Sequence, residues 1–355
     1  MPRVAYESLL EFATALLRAG GVRGEEASLV AQSLVEANLC GHDSHGVMRI
    51  PYYLDELARG NVQSGVELEL FHDEPEAISA DAHWGLGQVQ ARRLMDLLIR
   101  RTVDRAVCVG TLVRCAHIGR LGEYCQQAAE HHRVSIIMAN THGATRRVAP
   151  PGGTAPRLGT NPVAFGVPYD QEPIILDFGT SATAEGKVRL RRLAGEPCPE
   201  GWLLDAQGRP TTDPETLYAD PPGTILPMGG PGQTYKGFGL ALVVEIFAGA
   251  LSGGVTSREV PENQKGNCVY MQVINPSRLG RGWDHFAREL KQLVEFIRSC
   301  PRAEGVEAIL LPGDPERRTA ARRRREGIPI DPGNWAPLVQ LAQRLQVPLP
   351  PLVEE

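Results

Sequence analysis

One short stretch, residues 41–50 (GHDSHGVMRI), combines side chains suited to proton transfer and to anion binding. Asp43 and Ser44 are residue types that begin helices, because their oxygens accept otherwise unpaired backbone N–H groups. If a helix begins there, His45 and Arg49 lie four residues apart on one of its faces. That face would present an imidazole that titrates near neutrality beside a guanidinium shaped for a carboxylate. The stretch therefore predicts proton transfer next to a bound carboxylate.

A position near a helix start would also affect the charge of His45. The N-terminal end of a helix carries partial positive charge, which disfavours an imidazolium and would bring the pKa of His45 into the range of a proton shuttle. Pro51 complicates this prediction, because proline begins or kinks a helix rather than continuing it. A capped surface helix with a solvated histidine and arginine is the alternative that this stretch leaves open.

Other polar or glycine-rich turns follow apolar stretches that are typical of buried strands. They are His117-Ile118-Gly119, Asn140-Thr141, residues 177–181 (DFGTS) and Gly313-Asp314-Pro315. Small residues and open backbone amides at strand ends suit a phosphate-bearing ligand. The sequence contains neither G-x-G-x-x-G nor G-x-x-x-x-G-K-[ST], so it predicts neither a Rossmann fingerprint nor a P-loop.

The elements that must position these residues follow from hydrophobic spacing. Residues 9–17 and 29–35 have helical spacing, and Gly20-Gly21 separates the two helices. The N-terminal part is therefore predicted to be a helical lobe that carries His45 and Arg49 at its edge. Strands are predicted at 67–80, 106–113, 134–138, 163–167, 174–176 and 268–274, and further helices at 85–101, 121–128, 238–251, 284–298 and 335–345.

Two of the remaining segments carry specific expectations. Residues 185–219 are charged and rich in turns, which predicts a long excursion on the surface. The helix at 238–251 is apolar nearly all round, which predicts a central position in the fold. Glu245 lies inside this helix and is expected to be a paired structural carboxylate, with a cofactor or dimer role as the alternative.

The composition limits the class of protein. A chain of 355 residues is too long for one simple core, so two domains are expected. A net charge of −5 gives no overall attraction to nucleic acid or to an anionic membrane. Seven scattered cysteines without a C-x-x-C pair fit free thiols, and neither a signal peptide nor an uninterrupted membrane-spanning run is evident. We therefore expect a cytoplasmic protein with no nucleic-acid or membrane partner.

Six segments, in their order and spacing, resemble the malate/L-lactate dehydrogenase-type oxidoreductases, a family distinct from the Rossmann-fold lactate and malate dehydrogenases. They are GHDSHGVMRI (41–50), HIGRLG (117–122), RLGTNPVAFGVP (157–168), ILDFGTS (175–181), YKGFGLAL (235–242) and LPGDPE (311–316). The resemblance implies an α/β (α+β) fold. In it a helical domain over 1–75, completed by 280–355, accompanies a mixed, largely antiparallel sheet domain over 76–279 with a non-Rossmann dinucleotide site.

The resemblance also implies an activity and a set of site residues. The expected enzyme is a homodimer that uses NAD or NADP to interconvert a small, malate- or lactate-like 2-hydroxy acid and its 2-oxo acid. His45 is the expected proton donor and acceptor, with Ser44 beside it, and His117 matches a position used in some members for proton transfer and in others for cofactor contact. Arg49 is expected to bind the substrate carboxylate and Thr160 to contact the substrate. The expected dinucleotide contacts are Thr141, Asp177, Phe178, Gly179, Thr180, Lys236, Gly237, Gly313, Asp314 and Pro315.

Several alternatives stay open beside this interpretation. Within the family, the alternative is an NADPH-dependent reductase of a cyclic imino acid; outside it, a non-redox hydrolase or binding module on the same fold. A triad of Ser44, His45 and Asp177 lacks a G-x-S-x-G elbow, and His42 with His45 lacks further zinc ligands, so no metal is expected. The arginine run at 322–325 is interpreted as a solvated helix face because glutamates flank it.

Overall fold

The computed structural model describes residues 1–143, 145–230, 232–259 and 265–353. Ten α-helices lie within these residues. They are α1 (Tyr6–Ala19), α2 (Gly24–Leu39), α3 (Ile50–Ala58), α4 (Gly87–Arg101), α5 (Gly122–Glu130), α6 (Glu185–Ala194), α7 (Thr234–Val244), α8 (Gly282–Arg298), α9 (Asp314–Glu326) and α10 (Pro332–Leu345). Helix α7 continues directly into π-helical turns over Glu245–Leu251, and the two together, Thr234–Leu251, are called the α7 segment.

The same residues contain twelve strands. They are β1 (Arg3–Val4), β2 (Glu69–Glu74), β3 (Ala77–Asp81), β4 (Val107–Cys115), β5 (Val134–Ala139), β6 (Pro162–Val167), β7 (Ile174–Gly179), β8 (Leu203–Leu204), β9 (Pro210–Thr211), β10 (Thr224–Ile225), β11 (Asn267–Ile274) and β12 (Ile328–Pro329). Seven form the main sheet in the order β2-β3-β4-β11-β5-β6-β7. In the part of the chain that the structure describes, β3 and β4 are the only neighbours in this sheet that pair in parallel, so the prediction of a mixed, largely antiparallel sheet is confirmed.

The two chain ends build one helical core. Leu9 and Leu16 of α1 share a hydrophobic cluster with Leu34 of α2 and with Leu338 and Leu341 of α10. Strand β1 pairs antiparallel with β12, which joins the ends through backbone hydrogen bonds as well. This arrangement agrees with the expected helical unit from both ends, whose domain boundaries stay a prediction.

Helices cover both faces of the main sheet. Leu94 of α4 and Tyr124 of α5 pack with Ile137 of β5 on one face. On the other face, Val244 and Ala248 of the α7 segment pack with Met138, the next residue along β5. Successive strand side chains point to opposite faces, which explains why neighbours in the sequence join different clusters. The sheet is therefore covered by helices on both faces.

The predicted helix start at Asp43 is wrong. Short 3₁₀ turns occupy Asp43–His45 and Val47–Arg49, and the α-helix begins only at Ile50. Gly46, between the two turns, has an extended conformation, and a Cβ there would overlap the Asn38 side chain at 2.1 Å. Pro51 lies in the first turn of α3, the place where proline is tolerated in a helix.

Two further expectations differ from the structure. Residues 185–219 are more than a surface excursion, because Val188 of α6 packs with Cys198, Leu203 and Leu217 in a small separate core. Their apolar residues are too sparse for a periodic signal, which is why composition alone indicated a loop. The central position expected for the helix at 238–251 is found on one face only, because the α7 segment buries that face and exposes Leu242 and Ile246 on another.

The α7 segment is a long and predominantly apolar helix. By length and composition alone, Thr234–Leu251 could cross a membrane, and a third of it is buried in the fold. Core helices of soluble proteins have the same properties, so this observation is weak evidence for a membrane span.

Candidate active site

The turn that carries His45 is held between two helices. The Asp43 carboxylate accepts hydrogen bonds from Asn38 Nδ2 at 2.7 Å and from both terminal nitrogens of Arg323 at 2.7 and 3.0 Å. Asn38 Oδ1 accepts one from the Val47 amide at 2.8 Å. Arg323 belongs to the run interpreted as a solvated face, and its side chain is instead only 11% exposed. Helices α2 and α9 therefore fix the position of the His45 turn.

Ser44, His45 and Arg49 form one hydrogen-bonded group. Ser44 Oγ lies 3.0 Å from His45 Nδ1, and Arg49 Nε donates to the Ser44 carbonyl at 2.7 Å. The 3₁₀ turns thus bring imidazole and guanidinium together without the continuous helix that the sequence predicted. Because its Nε is used in this way, Arg49 can turn its two terminal nitrogens to a carboxylate as a pair.

His117 enters the same group from the end of β4. Its ring stacks on that of His45, with centroids 5.6 Å apart. The Ile118 amide donates to Asn267 Oδ1 at 3.0 Å, which fixes the backbone beside His117. A Cβ on Gly87, at the start of α4, would lie 2.2 Å from the His117 carbonyl oxygen, so a glycine is needed for this close packing. The structure therefore joins the two histidines that the sequence singled out.

Both histidines are held neutral by their surroundings. Burial, together with smaller contributions from the charges of Arg49, His42 and Arg120, lowers the pKa of His45 to about 3. Burial also lowers the pKa of His117 well below its usual value, with smaller contributions from Arg49 and His45. At neutral pH the site therefore presents two uncharged imidazoles beside a guanidinium.

A second group of predicted residues lies where β6 and β7 meet α7. The Thr180 amide and hydroxyl both donate to the Thr160 carbonyl, at 2.9 and 3.1 Å. The Thr180 carbonyl accepts from the Met228 amide at 2.9 Å, and the Met228 carbonyl accepts from the Gly237 amide at 3.1 Å. Thr141 adjoins this group, since a Cβ on Gly159 would lie 2.8 Å from its methyl carbon. Thr141, Thr160, Thr180 and Gly237 are thus neighbours.

A third group surrounds a cavity of about 240 Å³ between α2, β7 and α9. Asp177 and Gly313 both line it, as do His42 and Glu316. Asp177 Oδ2 accepts from the Gly122 amide at 2.7 Å, and burial raises the pKa of this carboxyl. The predicted contacts 177–179 lie within the edge strand β7 rather than in a turn after it.

Some predicted cofactor contacts are not brought into these groups. Phe178 packs with the hydrophobic cluster on the α7 face of the sheet, on the side opposite to Asp177. Lys236 is exposed, and its ammonium lies 5.9 Å from the ring centre of its neighbour Tyr235. Asp314 accepts from the Leu311 amide at 2.7 Å, next to the exposed Pro315.

The structure adds Arg120, a residue that the sequence analysis did not select. It is only 8% exposed, and in the described part of the chain its Nε has no hydrogen-bond partner. It lines the 240 Å³ cavity together with Asp177 and Gly313. Its charge lowers the pKa values of both His45 and Asp177, so it acts on the histidine group as well as on the cavity. The signal in the sequence that could have identified Arg120 is a positive charge three residues after His117.

The structure confirms that Glu245 is a paired structural carboxylate. Its two oxygens accept hydrogen bonds from Asn140 Nδ2 at 3.0 Å and from Asn161 Nδ2 at 2.9 Å. The Ser257 amide and hydroxyl also donate to it, at 2.9 and 2.6 Å. Because Asn140 precedes Thr141 and Asn161 follows Thr160, this buried carboxylate positions both turns of the second group.

The geometry differs from that of a hydrolase triad. In such a triad the carboxylate holds the Nδ1 side of the imidazole and the serine contacts Nε2. Here Ser44 contacts Nδ1 of His45, and Asp177 is bound to the Gly122 amide. Among the residues described, no three His, Cys, Asp or Glu side chains are grouped as metal ligands, and His42 Nε2 instead lies 3.3 Å from Glu316 Oε1.

Comparison with known proteins gives the family. The family described as malate/L-lactate dehydrogenase matches residues 4–339. The chain belongs to this family. It is 34% identical over 354 residues to an L-lactate dehydrogenase of Cupriavidus necator, which covers 98% of this chain and 99% of that protein.

Solved structures of family members have the same fold. Malate dehydrogenase from Pyrococcus horikoshii matches with a TM-score of 0.87 and 31% identity, over 98% of this chain and 96% of that one. A Δ¹-piperideine-2-carboxylate reductase from Pseudomonas syringae matches with a TM-score of 0.83 and 30% identity, over 96% of this chain and 100% of that one. The chain is therefore an oxidoreductase of the malate/L-lactate dehydrogenase family with that family's fold.

Proposed function

We propose that the protein is an NAD(P)-dependent oxidoreductase that interconverts a small 2-hydroxy acid and its 2-oxo acid. The observation that carries this proposal is the joining of His45, Arg49 and His117 in one partly buried group. Neutral imidazoles beside a guanidinium suit a substrate that carries a carboxylate next to a carbon whose oxygen gains or loses a proton. The nicotinamide, when bound, supplies the hydride chemistry.

The residues present fit a dinucleotide. A buried guanidinium with an unpartnered nitrogen is costly, because its lost hydration is not replaced. Phosphate oxygens in the 240 Å³ cavity would replace it at Arg120, beside Asp177 and Gly313. The backbone around Thr160, Thr180 and Gly237 would hold the other end of the cofactor, close to the substrate. NAD and NADP both fit this assignment.

In this mechanism Arg49 and His45 act in sequence. Arg49 binds the substrate carboxylate with its terminal nitrogens and thereby orients the neighbouring carbon. During oxidation, neutral His45 accepts the hydroxyl proton of the substrate. During reduction the same ring donates a proton, and the bound carboxylate favours this by offsetting the Arg49 charge that otherwise lowers the pKa of His45.

A substrate panel tests this proposal. Nicotinamide absorbance should fall when NADH or NADPH and the protein are mixed with malate-like, lactate-like or sulfonated 2-oxo acids, and rise with NAD or NADP and the matching hydroxy acids. Calorimetric titration with each dinucleotide shows which one binds more tightly. Tight dinucleotide binding without turnover of any hydroxy or oxo acid would favour a binding module instead.

Reduction of a cyclic imino acid is the second candidate. It is favoured by the likeness to the Pseudomonas syringae reductase. The carboxylate contact from Arg49 and the proton donor His45 would also serve the reduction of a carbon–nitrogen double bond. Consumption of NADPH only with a cyclic imino acid, or only when an amine accompanies the oxo acid, would select this candidate over the first.

Replacing Arg120 tests the cofactor assignment. Arg120→Met should weaken NAD(P)H binding about 10- to 100-fold, because a charge-assisted hydrogen bond contributes about 1.5–3 kcal/mol. The unliganded variant should keep its stability, since an apolar side chain replaces a buried charge. Titration calorimetry and urea unfolding measure both effects, with exposed Arg100→Met as the control. Unchanged dinucleotide affinity would exclude Arg120 from the cofactor site.

We also propose that the chain forms a homodimer through the exposed face of α7. Leu242, Val243 and Ile246 are 45%, 37% and 48% exposed there, and a second copy would bury them. Ile246→Glu should convert a dimer to a monomer in light scattering, whereas Val103→Glu, at an exposed apolar residue beyond α4, should not. A monomeric wild-type protein would contradict this.

Seven unpaired cysteines support the proposed cytoplasmic location.

A further inference from the structure

His117 has two partners on the side of its ring that faces the protein. Tyr53 Oη lies 2.7 Å from His117 Nδ1, and the Gly119 amide donates to the same nitrogen at 3.3 Å. Gln88 Nε2 donates to Tyr53 Oη at 2.9 Å. Tyr53 and Gln88 are buried, so these contacts are shielded from water. The sequence had indicated His117 and the turn that contains Gly119, but neither Tyr53 nor Gln88.

The Gly119 amide shows which nitrogen of His117 carries the proton. A backbone N–H can only donate, so the nitrogen that it faces must be an acceptor. Nδ1 is therefore unprotonated, and the neutral ring carries its proton on Nε2. Tyr53 can then donate to Nδ1 while it accepts from Gln88, so the hydrogen bonds from Gln88 through Tyr53 to His117 all run in one consistent direction.

We propose that Tyr53 is a positioning residue that acts with the Gly119 amide to fix His117 as the Nε2–H tautomer, so that His117 presents a hydrogen-bond donor to the substrate oxygen while His45 transfers the proton. The catalytic half of this statement rests on the proposed function. The tautomer itself follows from contacts within the protein and needs no bound ligand.

The different partners of the two rings explain the different roles. Nδ1 of His117 faces two donors, which stabilise the neutral ring and oppose its protonation. Nδ1 of His45 faces the Ser44 hydroxyl, which can rotate and either donate or accept. His45 can therefore gain and lose a proton while the Ser44 hydroxyl turns to match, whereas a proton on Nδ1 of His117 would face the Gly119 N–H, which cannot accept it.

One other arrangement of this network is chemically possible. If the Gln88 amide were reversed, its oxygen would accept from Tyr53, and Tyr53 would accept from a protonated Nδ1 of His117. Gln88 Oε1 has no partner in the described part of the chain, and this reversal would supply one. The reversal would, however, direct the Gly119 N–H at another N–H. The two arrangements differ in one observable, the position of the ring proton.

Nitrogen NMR of the ligand-free protein, labelled with ¹⁵N in its histidine rings, measures that position. His117→Asn identifies the resonances. The proposal expects a neutral His117 with an unprotonated Nδ1 and a protonated Nε2. A protonated Nδ1 would overturn it, whether or not the protein turns over any hydroxy acid. The expected tautomer without turnover would leave the tautomer standing and contradict only the proposed function.

Tyr53→Phe tests the role of the hydroxyl, with Tyr52→Phe as the matched control because Tyr52 is adjacent and 41% exposed. Loss of one donor to Nδ1 should raise the pKa of His117 and populate both tautomers in the NMR spectrum. With substrate, kcat should fall about tenfold and the substrate KM should change little, since one hydrogen bond is lost behind the ring. An unchanged tautomer and pH profile in Tyr53→Phe would overturn the positioning role.

Discussion

Replacing His45 by asparagine is expected to lower kcat about 10²- to 10⁴-fold, the usual contribution of a positioned general acid or base. Asparagine keeps a hydrogen-bonding side chain near Ser44 but cannot shuttle a proton at neutral pH. Dinucleotide affinity should change little, because His45 is not among the residues that line the cavity that we assign to the cofactor. Steady-state kinetics and calorimetry measure the two quantities.

The surroundings of His45 also set the pH dependence of oxidation. A base with a pKa of about 3 stays unprotonated as the pH falls through 6.5, the ordinary value for histidine. The kcat/KM for the hydroxy acid should therefore stay level through pH 6.5 and decline only at much lower pH. His72→Asn, which replaces an exposed histidine of β2, is the control for the replacement of His45 by asparagine. Equal losses of activity in His45→Asn and His72→Asn would exclude His45 from the mechanism.

Replacing Arg49 by alanine should act mainly on substrate binding. Removal of one partner from a desolvated charge pair costs about 2–5 kcal/mol, so kcat/KM should fall roughly 30-fold or more through a higher substrate KM. Because the charge of Arg49 lowers the pKa of His45, its loss should also move the acid limb of the pH profile upward.

Arg59→Ala is the matched control for this prediction. Arg59 follows the same helix, α3, and its side chain is 68% exposed. The control should keep its substrate KM and its pH profile. A drop in kcat with an unchanged KM in Arg49→Ala would mean that the arginine does not hold the substrate carboxylate.

Much of the fold could be predicted because its signals are local. The strands expected at 134–138 and 163–167 are observed as Val134–Ala139 and Pro162–Val167, and α4 begins two residues after its predicted start. The order of the sheet was not predictable in this way. Strand β11 lies between β4 and β5, although about 130 residues separate it from β5 in the sequence.

The residues of the candidate site could be predicted from their types, but the contacts that hold them in place could not. The sequence selected His45, Arg49 and His117, yet their meeting depends on 3₁₀ turns held by Arg323 from the other end of the chain. Tyr53 was passed over because its partner His117 lies 64 residues away. Contacts of this kind arise from tertiary packing, which spacing and periodicity do not report.

Transfer of deuterium tests the central claim most directly. The protein is mixed with a 2-oxo acid that it consumes and with NADH or NADPH deuterated at the transferring carbon, and the product is examined by mass spectrometry. We predict one deuterium at carbon 2 of the hydroxy acid, formed by the wild-type protein and far more slowly by His45→Asn. Two results would contradict hydride transfer at this site. One is a product that lacks deuterium whichever face of the nicotinamide carries it, and the other is an equal rate for the wild-type protein and His45→Asn.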